Sequence, residues 1–255
     1  MQKHKISAFI PVQDVEEIIE DCLKSITWVN EIFIVDAFSK DRTVEICQKF
    51  PNVKIVHHEY ENSGAQRTWG MPQVSNEWVL IIDSDERCTP ELQTEIEKIL
   101  SMETIPFDGY LVYLKTKFLG KIQHHDRYLG YQGMRLVRKE SYKEYTLRSV
   151  HSTLDIKNQS RIRNKNAFII HIPIRDFRRH WQKMIRYANW QAEDMFQKGK
   201  KVCWYHFSIR PLFKFVIHFF VKLGFLDGIR GLILCGLASI SVFMKYYKLF
   251  IMRNE

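Results

Sequence analysis

Residues 77–86 read EWVLIIDSDE, an unbroken apolar run that ends in a cluster of carboxylates. Three similar apolar runs precede it in the first part of the chain. They are KISAFIP (5–11), EIFIVD (31–36) and VKIVHH (53–58). Continuous rather than alternating apolar residues are typical of strands that are buried on both faces, as in parallel sheets. We therefore predict four strands of a parallel sheet.

Helical patterns separate these runs. Apolar residues recur at the spacing of one helical face over residues 15–26. The run TPE at 89–91 has the residues preferred at a helix start, and its helix is predicted to reach about residue 100. Further helices are predicted at 41–50 and 64–74. The alternation of strands and helices predicts an α/β fold with a Rossmann-like sheet.

Three residues stand at the carboxyl ends of predicted strands, where open α/β sheets bind their ligands. These residues are Pro11, Asp36 and Asp83. Asp83 also begins a D-x-D pair with Asp85, and two carboxylates on a rigid strand end suit Mg²⁺ or Mn²⁺ bound to phosphate oxygens. A solvated acidic turn is the alternative. The preceding buried strand and the matching Asp36 favour a metal site.

Two further segments, DAFSKDRT (36–43) and NSGAQRTWG (62–70), bring polar groups towards the same edge. A carboxylate at Asp36 can accept hydrogen bonds from a nucleobase or a ribose. Asp41 would also serve as an ordinary helix cap. Arg67 lies in a small-residue turn near a helix start and is predicted to reach a nucleotide, although a surface arginine would look the same in sequence.

Charge is divided unevenly along the chain of 255 residues, whose net charge is +9. Residues 1–105 hold 10 basic and 19 acidic side chains, whereas residues 106–255 hold 28 basic and 10 acidic ones. The first part is suited to holding a cation and the second to facing an anionic partner. Nucleic acid, acidic phospholipid and a phosphorylated saccharide all fit that second part.

The composition excludes several classes of protein. Hydrophobic residues at 45% and charged residues at 26% are ordinary for a globular domain and argue against disorder. The five cysteines are far apart and form no CxxC pair, which argues against a disulfide scaffold or a zinc ribbon and favours a reducing compartment. The first apolar run is too short for a secretory signal, so we expect a cytoplasmic protein.

The segment 211–252 is the most apolar part of the chain. Lys214, His218 and Lys222 recur every four residues and form one polar stripe on an aromatic helix. The uncharged stretch 231–243 is shorter than the roughly twenty residues that span a bilayer. We therefore predict two amphipathic helices that lie on an anionic membrane surface. A helical hairpin packed on the protein itself, or in a dimer, is the alternative.

Four features follow one another along the chain: the strand ends, the SxDxT run after Asp36, the GAQR turn and the segment WVLIIDSDE. In this order they resemble the nucleotide-sugar half of family 2 glycosyltransferases. The later segments continue the resemblance over nearly the whole chain, in the order found in small enzymes that add glucose to the inner-core heptose of lipopolysaccharide. They are GYLVYL (109–114), MRLVRK (134–139), IIHIP (169–173) and GFLDGIRGL (224–232).

The resemblance implies a GT-A fold that binds a UDP-sugar at the strand ends. Asp36 would contact the uracil or ribose, Asp83 the ribose or diphosphate, and Asp85 the divalent metal, with Pro11 and Arg67 completing the donor site. An acidic protein half would otherwise repel UDP, so a bound Mg²⁺ or Mn²⁺ also reconciles the charges.

Inversion at the sugar carbon requires a general base that takes the proton of the acceptor hydroxyl. The related enzymes carry a glutamate immediately after a histidine at this place, whereas this chain has Ser152. A serine hydroxyl is too weak a base, so Asp155 or His151 is predicted to act instead. The alternative function is a catalytically altered scaffold that binds a nucleotide-sugar or a lipid.

The acceptor is predicted to bind the basic residues in and beside the loop 120–135. We assign Lys121, His125, Arg127 and Arg135 to this role, because cations there would face an acceptor phosphate. The loop lacks the Trp-Tyr-Pro-Asp run of the related enzymes, so its sequence does not name the acceptor.

The prediction from sequence divides the chain into three parts. Residues 1–105 bind the nucleotide-sugar, residues 106–200 bind the acceptor and residues 201–255 form amphipathic helices. The activity is transfer of a hexose, glucose by resemblance, from UDP to a lipid-linked, phosphorylated saccharide. The protein would be peripheral on the cytoplasmic face of a bacterial inner membrane. Nucleic acid is disfavoured as a partner, because the aromatic residues cluster with aliphatic rather than with basic ones.

Overall fold

The computed structural model describes residues 3–123, 132–142, 156–174 and 177–254. Its strands are Ile6–Val12 (β1), Glu31–Asp36 (β2), Val53–His57 (β3), Trp78–Ile81 (β4), Glu86–Cys88 (β5), Gly109–Phe118 (β6), Lys121–Ile122 (β7), Gln132–Arg138 (β8), Gln159–Arg161 (β9) and Phe168–His171 (β10). Its α-helices are Ile19–Lys24 (α1), Thr43–Cys47 (α2), Ser63–Gly70 (α3), Pro90–Leu100 (α4), Phe177–Gln197 (α5), Trp204–Val216 (α6) and Gly228–Asn254 (α7).

The chain divides into two compact units. The first unit comprises residues 1–114 and 130–171, and the second comprises residues 115–129 and 172–255. Strand β6 begins in the first unit and ends in the second. The predicted assignment of donor and acceptor binding to separate stretches concerns function and stays a prediction.

One mixed sheet organises the first unit, with the strand order β3-β2-β1-β4-β8-β6-β10-β5. The pairs β3/β2, β2/β1 and β1/β4 are parallel, so the four strands predicted from sequence form a parallel half. The pairs β4/β8, β8/β6 and β10/β5 are antiparallel. This is the mixed α/β sheet of a GT-A fold, and the predicted fold class is confirmed.

Apolar residues cover both faces of the parallel half. Along β1, Ile10 belongs to one hydrophobic cluster and Phe9 to another. Along β2, Ile34 packs with the first cluster and Phe33 with the second, and all four residues are fully buried. Successive side chains of a strand point to opposite faces, so a strand covered on both sides has to be apolar at every position.

Helix α4 begins where the sequence predicts. The side chain of Thr89 accepts a hydrogen bond from the backbone N of Leu92, and Pro90 occupies the first helical position. Helix α1 is shorter than the predicted span 15–26. The N–H groups of Val15 and Glu16, which precede it, donate to the side chains of Thr43 and Asp41 and so join this turn to the loop after β2.

The second unit contains α5, α6 and α7, and α7 packs against both other helices. The break predicted around residues 224–228 is present, because Leu223 and Gly228 have φ values of 59° and 63°. A Cβ on Gly231 would stand 1.9 Å from the carbonyl oxygen of Gly224, so only glycine permits this close approach.

Helix α7 is longer than the uncharged stretch 231–243 suggested, because it continues through Lys245 and Lys248 to Asn254. Among the described residues, the segment Gly224–Asn254 is the one that has the length and the apolar composition to cross a bilayer. By length and composition this segment could cross a bilayer, which corrects the prediction that the region is too short to span one. Only 22% of its most apolar window is buried in the protein.

Candidate functional site

The carboxyl ends of β1, β2 and β4 lie along one edge of the parallel sheet. The register between β1 and β2 pairs Pro11 with Val35 and Val12 with Asp36. Asp83 follows β4 by two residues. The three strand-end residues selected from sequence therefore lie at the edge where open α/β sheets bind ligands.

Asp36 is 1% exposed, and three hydrogen bonds fix its carboxylate. The backbone N and the hydroxyl of Ser39 donate to it at 3.1 and 2.5 Å, and Nδ1 of His57 lies 3.0 Å from Oδ2. The ring of Phe38, which is 57% exposed at a φ of 55°, stacks on His57 with 5.7 Å between centroids. Asp36 is thus held rigidly beneath an exposed pair of rings.

Asp83 lies between two arginines. Nη2 of Arg67 donates to Oδ1 at 2.7 Å, and Nη1 of Arg135 lies 3.6 Å from Oδ2. Helix α3 supplies Arg67, and the side chain of Asn62 caps that helix by accepting from the N of Ala65. Burial by itself raises the pKa of Asp83, but the two guanidinium groups hold it well below its usual range. Asp83 is therefore ionised and fixed at neutral pH.

Glu86 is the buried member of the acidic turn, with a side chain only 2% exposed. Its carboxylate accepts from Nη2 of Arg135 at 2.5 Å and from the backbone N of Asp83 at 2.9 Å. Burial, with the nearby charges of Asp83 and Asp85, raises the pKa of Glu86 to about 7 despite the Arg135 contact. Glu86 and Arg135 together brace the turn that carries Asp83.

Asp85 meets a histidine from a distant strand. Nε2 of His171 lies 3.4 Å from Oδ2 of Asp85. The antiparallel pairing of β10 with β5 sets His171 opposite Glu86 and thereby brings it to the acidic turn. Burial lowers the pKa of His171, but the hydrogen bond and charge of Asp85 raise it above its ordinary value. The sequence analysis did not select His171, although the IIHIP run carried it.

These donors fit a divalent cation of the kind that binds nucleotide phosphates. Asp85 is about a fifth exposed, and its Oδ2 and Nε2 of His171 lie close enough to ligate one ion. Within the described residues no group of three or more histidines, cysteines or acidic residues forms a complete metal cage. A Mg²⁺ site typically uses one or two carboxylates and leaves the other positions to phosphates and water. The residues present match that pattern.

The remaining predicted residues have different outcomes. Arg135, predicted to bind the acceptor, is 11% exposed and contacts Asp83 and Glu86 at the donor edge. Lys121 is exposed on β7 in the second unit. The other four lie outside the described residues, so their roles stay predictions. They are His125, Arg127, His151 and Asp155.

Comparisons with known proteins agree with this geometry. The sequence profile described as glycosyl transferase family 2 matches residues 7–186. An uncharacterised glycosyltransferase of Rickettsia conorii is 26% identical, over 96% of this chain and 89% of its own length. A lipopolysaccharide core biosynthesis glycosyltransferase, LpsC of Rhizobium meliloti, is 20% identical, over 96% of this chain and 94% of its own length.

Among solved structures, residues 1–349 of Staphylococcus aureus TarS in complex with UDP-GlcNAc superpose with a TM-score of 0.52. The sequence identity is 14%, and the match covers 98% of this chain and 92% of that one. At this identity the likeness concerns the fold, which the two proteins share over almost the full length of this chain.

Proposed function

Because this chain belongs to glycosyl transferase family 2 and is a glycosyltransferase, we propose that it moves a hexose, glucose in the first instance, from UDP to a lipid-linked or lipopolysaccharide-core saccharide. The observation that carries the donor assignment is the acidic turn after β4. There Asp83 is locked by Arg67, while Asp85 stays part-exposed beside His171. The relation to LpsC, whose name refers to the lipopolysaccharide core, supports the acceptor class.

Each strand-end residue has a proposed part in donor binding. Asp36 accepts a hydrogen bond from the uracil or ribose, and Pro11 shapes the adjacent end of β1. Asp83 accepts from the ribose or orients the diphosphate, and Arg67 fixes its carboxylate at 2.7 Å. Rigid acceptors of this kind orient the donor without reorganisation during the reaction. For Arg135 the contacts with Asp83 and Glu86 favour bracing of this site over binding of the acceptor.

We propose that Asp85 and His171 hold a Mg²⁺ or Mn²⁺ ion together with the donor diphosphate. Such an ion, when bound, stabilises the negative charge that develops on UDP as the bond between sugar and phosphate breaks. Asp85 supplies a charged oxygen and His171 a nitrogen, and this set suits Mn²⁺ at least as well as Mg²⁺.

In an inverting reaction, a base on the opposite side of the sugar from UDP takes the proton of the acceptor hydroxyl. The hydroxyl oxygen forms the new bond to the anomeric carbon, and UDP leaves with the electron pair of the old one. Asp155 or His151 is proposed to take the proton, and Lys121, His125 and Arg127 are proposed to bind the acceptor's phosphate.

The C-terminal helices are proposed to hold the enzyme on an anionic membrane, as a peripheral protein at the cytoplasmic face of the inner membrane. Along α7, Leu237, Tyr246 and Leu249 are buried against the protein. Ile229, Phe243 and Phe250 of the same helix are exposed. Exposed apolar side chains together with the basic residues of this helix are suited to contact with the interface of an anionic membrane.

The proposal is tested by assaying release of UDP from a panel of UDP-hexoses with Mn²⁺ and a lipopolysaccharide-core acceptor. We expect acceptor-dependent release, greatest with UDP-glucose. One of the two variants His151→Ala and Asp155→Ala should abolish it, and full turnover in both would exclude both residues as the base. Binding of UDP-sugar without any transfer or hydrolysis would instead establish the scaffold alternative, which Ser152 motivates.

A further inference from the structure

The connection between α6 and α7 exposes large apolar side chains. The ring of Phe219 contacts the rings of Phe220 and Phe225, with 5.1 and 6.3 Å between centroids, which joins the two sides of this connection. Isolated apolar side chains on a surface are ordinary, but a continuous patch of them marks a place of interaction. The exposed members are Phe220, Val221, Leu223, Phe225, Leu226 and Ile229.

A second exposed turn lies beside this connection. Leu119 and Gly120 join β6 to β7, and the side chain of Leu119 is 59% exposed. Nε of Arg230, at the start of α7, donates to the carbonyl oxygen of Leu119 at 3.3 Å. This contact places the two turns next to one another within the second unit. We call Leu119 and residues 220–229 the apolar patch.

Leu119 has a backbone conformation that leucine disfavours. The φ values of Leu119 and Gly120 are 47° and 78°. Positive values at both positions are typical of a two-residue type I′ hairpin turn, in which asparagine, aspartate or glycine is preferred at the first position. The side chain is also largely in solvent, so packing in the core does not explain it. Contact with an apolar partner outside the chain does.

Basic residues accompany the patch. Lys121 follows Leu119 by two residues, Lys222 lies within the α6–α7 connection, and both lysines are exposed. In the sequence, residues 198–254 contain ten lysines and arginines and one acidic residue, Asp227. A second copy of the chain would bring like charges together, which disfavours it as the occupant. An anionic bilayer offers acyl chains to the apolar side chains and negative headgroups to the cations.

We propose that the apolar patch inserts into the headgroup and upper acyl region of an anionic bilayer. This inference rests on the proposed peripheral association with a membrane and names the elements that enter it, namely the turn at Leu119 and the connection between α6 and α7. Insertion would set Lys121, to which we assign binding of the acceptor's phosphate, at the membrane surface. A lipid-linked acceptor would then be bound while its lipid anchor remains in the bilayer.

The test mixes the full chain with vesicles of phosphatidylcholine alone and with vesicles that also contain phosphatidylglycerol, and measures the bound fraction by flotation. One basic residue near an anionic surface contributes about fivefold, so the unchanged chain should bind at least about tenfold more tightly when phosphatidylglycerol is present. Equal affinity for both kinds of vesicle would contradict the anionic bilayer. The assay requires no donor or acceptor, so its outcome is independent of the transfer reaction.

Leu119→Asn is the sharpest variant, because it removes an apolar side chain and supplies a residue that the turn prefers. Its melting temperature should be unchanged or higher, which separates lost membrane contact from a damaged fold. Binding to vesicles with phosphatidylglycerol should weaken at least about tenfold, and Leu226→Gln should weaken it similarly. Leu226 is 55% exposed, and Leu212, which is 62% exposed on α6 outside the patch, is the matched control. Leu212→Gln should change binding by no more than about threefold.

An equal loss for Leu212→Gln would assign membrane contact to the outer face of α6 and overturn the patch. Unchanged binding in both Leu119→Asn and Leu226→Gln would overturn it as well. If the unchanged chain did not bind phosphatidylglycerol vesicles, both the patch and the proposed membrane association would be wrong, while release of UDP would still test the transfer reaction. Sedimentation equilibrium without vesicles tests the other occupant. A dimer that Leu226→Gln dissociates would assign the patch to a second copy and overturn the lipid.

Discussion

The two units of the molecule differ in how their charged side chains are paired. At the acidic turn of the first unit, Asp83 and Glu86 are each matched by an arginine, so most charge there is compensated by the protein itself. In the second unit, Arg210 and Lys245 both lie on the ring of Tyr246, and among the described residues no carboxylate forms an ion pair with either of them. Compensated charges build a rigid frame, and uncompensated ones mark the places where a ligand supplies the missing charge.

At the acidic turn we expect Asp85 to be the carboxylate that binds a ligand, because it contacts a histidine rather than an arginine. We expect Asp85→Asn to lower kcat by about a thousandfold, since loss of a bound divalent ion removes several kcal/mol of stabilisation from the leaving UDP. Release of UDP under saturating donor measures the effect. Asp194→Asn, an exposed change of the same kind, should leave turnover as it is, and a wild-type rate for Asp85→Asn would contradict the assignment.

Among the arginines at the acidic turn, Arg135 is the one whose removal should lower the stability of the fold most. Arg135→Met leaves Glu86, with its 2% exposed side chain, without its cationic partner. A buried charge pair broken on one side typically costs about 3 kcal/mol or more, so we expect the free energy of unfolding to fall by about 3 kcal/mol above pH 7, where Glu86 is ionised. Urea unfolding followed by circular dichroism measures it. A loss below about 1 kcal/mol would show that the pair does not brace the turn.

Glu31 is a carboxylate whose charge is stabilised by neutral hydrogen-bond donors rather than by an arginine. Its carboxylate accepts from the hydroxyl of Ser7 at 2.5 Å and from the N and hydroxyl of Ser75 at 2.8 and 2.6 Å. Burial raises its pKa, but these hydrogen bonds bring it below the ordinary value of 4.5. The folded state therefore favours the ionised form, and this stability is present above pH 4.5 and is lost as the pH falls through the lower folded-state pKa.

We accordingly expect Glu31→Gln to lower the free energy of unfolding by about 2 kcal/mol at pH 7. The difference between the variant and the unchanged chain should shrink as the pH is lowered below 4.5. Urea titrations at several pH values measure it. A difference that stays constant down to pH 3 would show that packing, rather than the charge of Glu31, is responsible.

The smallest effect is expected at Lys245, which lies beside Arg210 on the ring of Tyr246. Lys245→Met removes one of several repelling cations and keeps the apolar stem of the side chain, so the free energy of unfolding should be unchanged or should rise by about 0.5–1 kcal/mol. Lys248→Met is the matched control and should lie within about 0.5 kcal/mol of the unchanged chain. A loss above about 1 kcal/mol for Lys245→Met would mean that the charge of Lys245 stabilises the fold.

The sequence predicted the parallel half of the fold closely because local pattern determines it. Strand β2 occupies the predicted residues 31–36, and α4 runs from Pro90 to Leu100 as expected. Both depend on signals within a few residues of one another, namely a continuous apolar run and a Thr-Pro-Glu helix start. The end of β4 and its acidic turn were located for the same reason.

The antiparallel part of the site was missed because nothing local encodes it. His171 reaches Asp85 through the pairing of β10 with β5, and Arg135 reaches Glu86 by its place on β8. Apolar periodicity identifies a strand but not its partner, so a basic residue on β8 was assigned to the acceptor from charge alone. The contact between Arg210 and Tyr246 was missed similarly, because it depends on how α6 packs on α7.

The central claim is that Asp85, with His171, binds a divalent ion that in turn binds the diphosphate of the donor. Calorimetric titration of UDP into the full chain, with Mn²⁺ and then with EDTA, tests it most directly. We predict that UDP binds with Mn²⁺, that EDTA weakens this binding by at least about a hundredfold, and that Asp85→Asn removes the difference between the two conditions. Equal affinity for UDP with Mn²⁺ and with EDTA in the unchanged chain would contradict the claim.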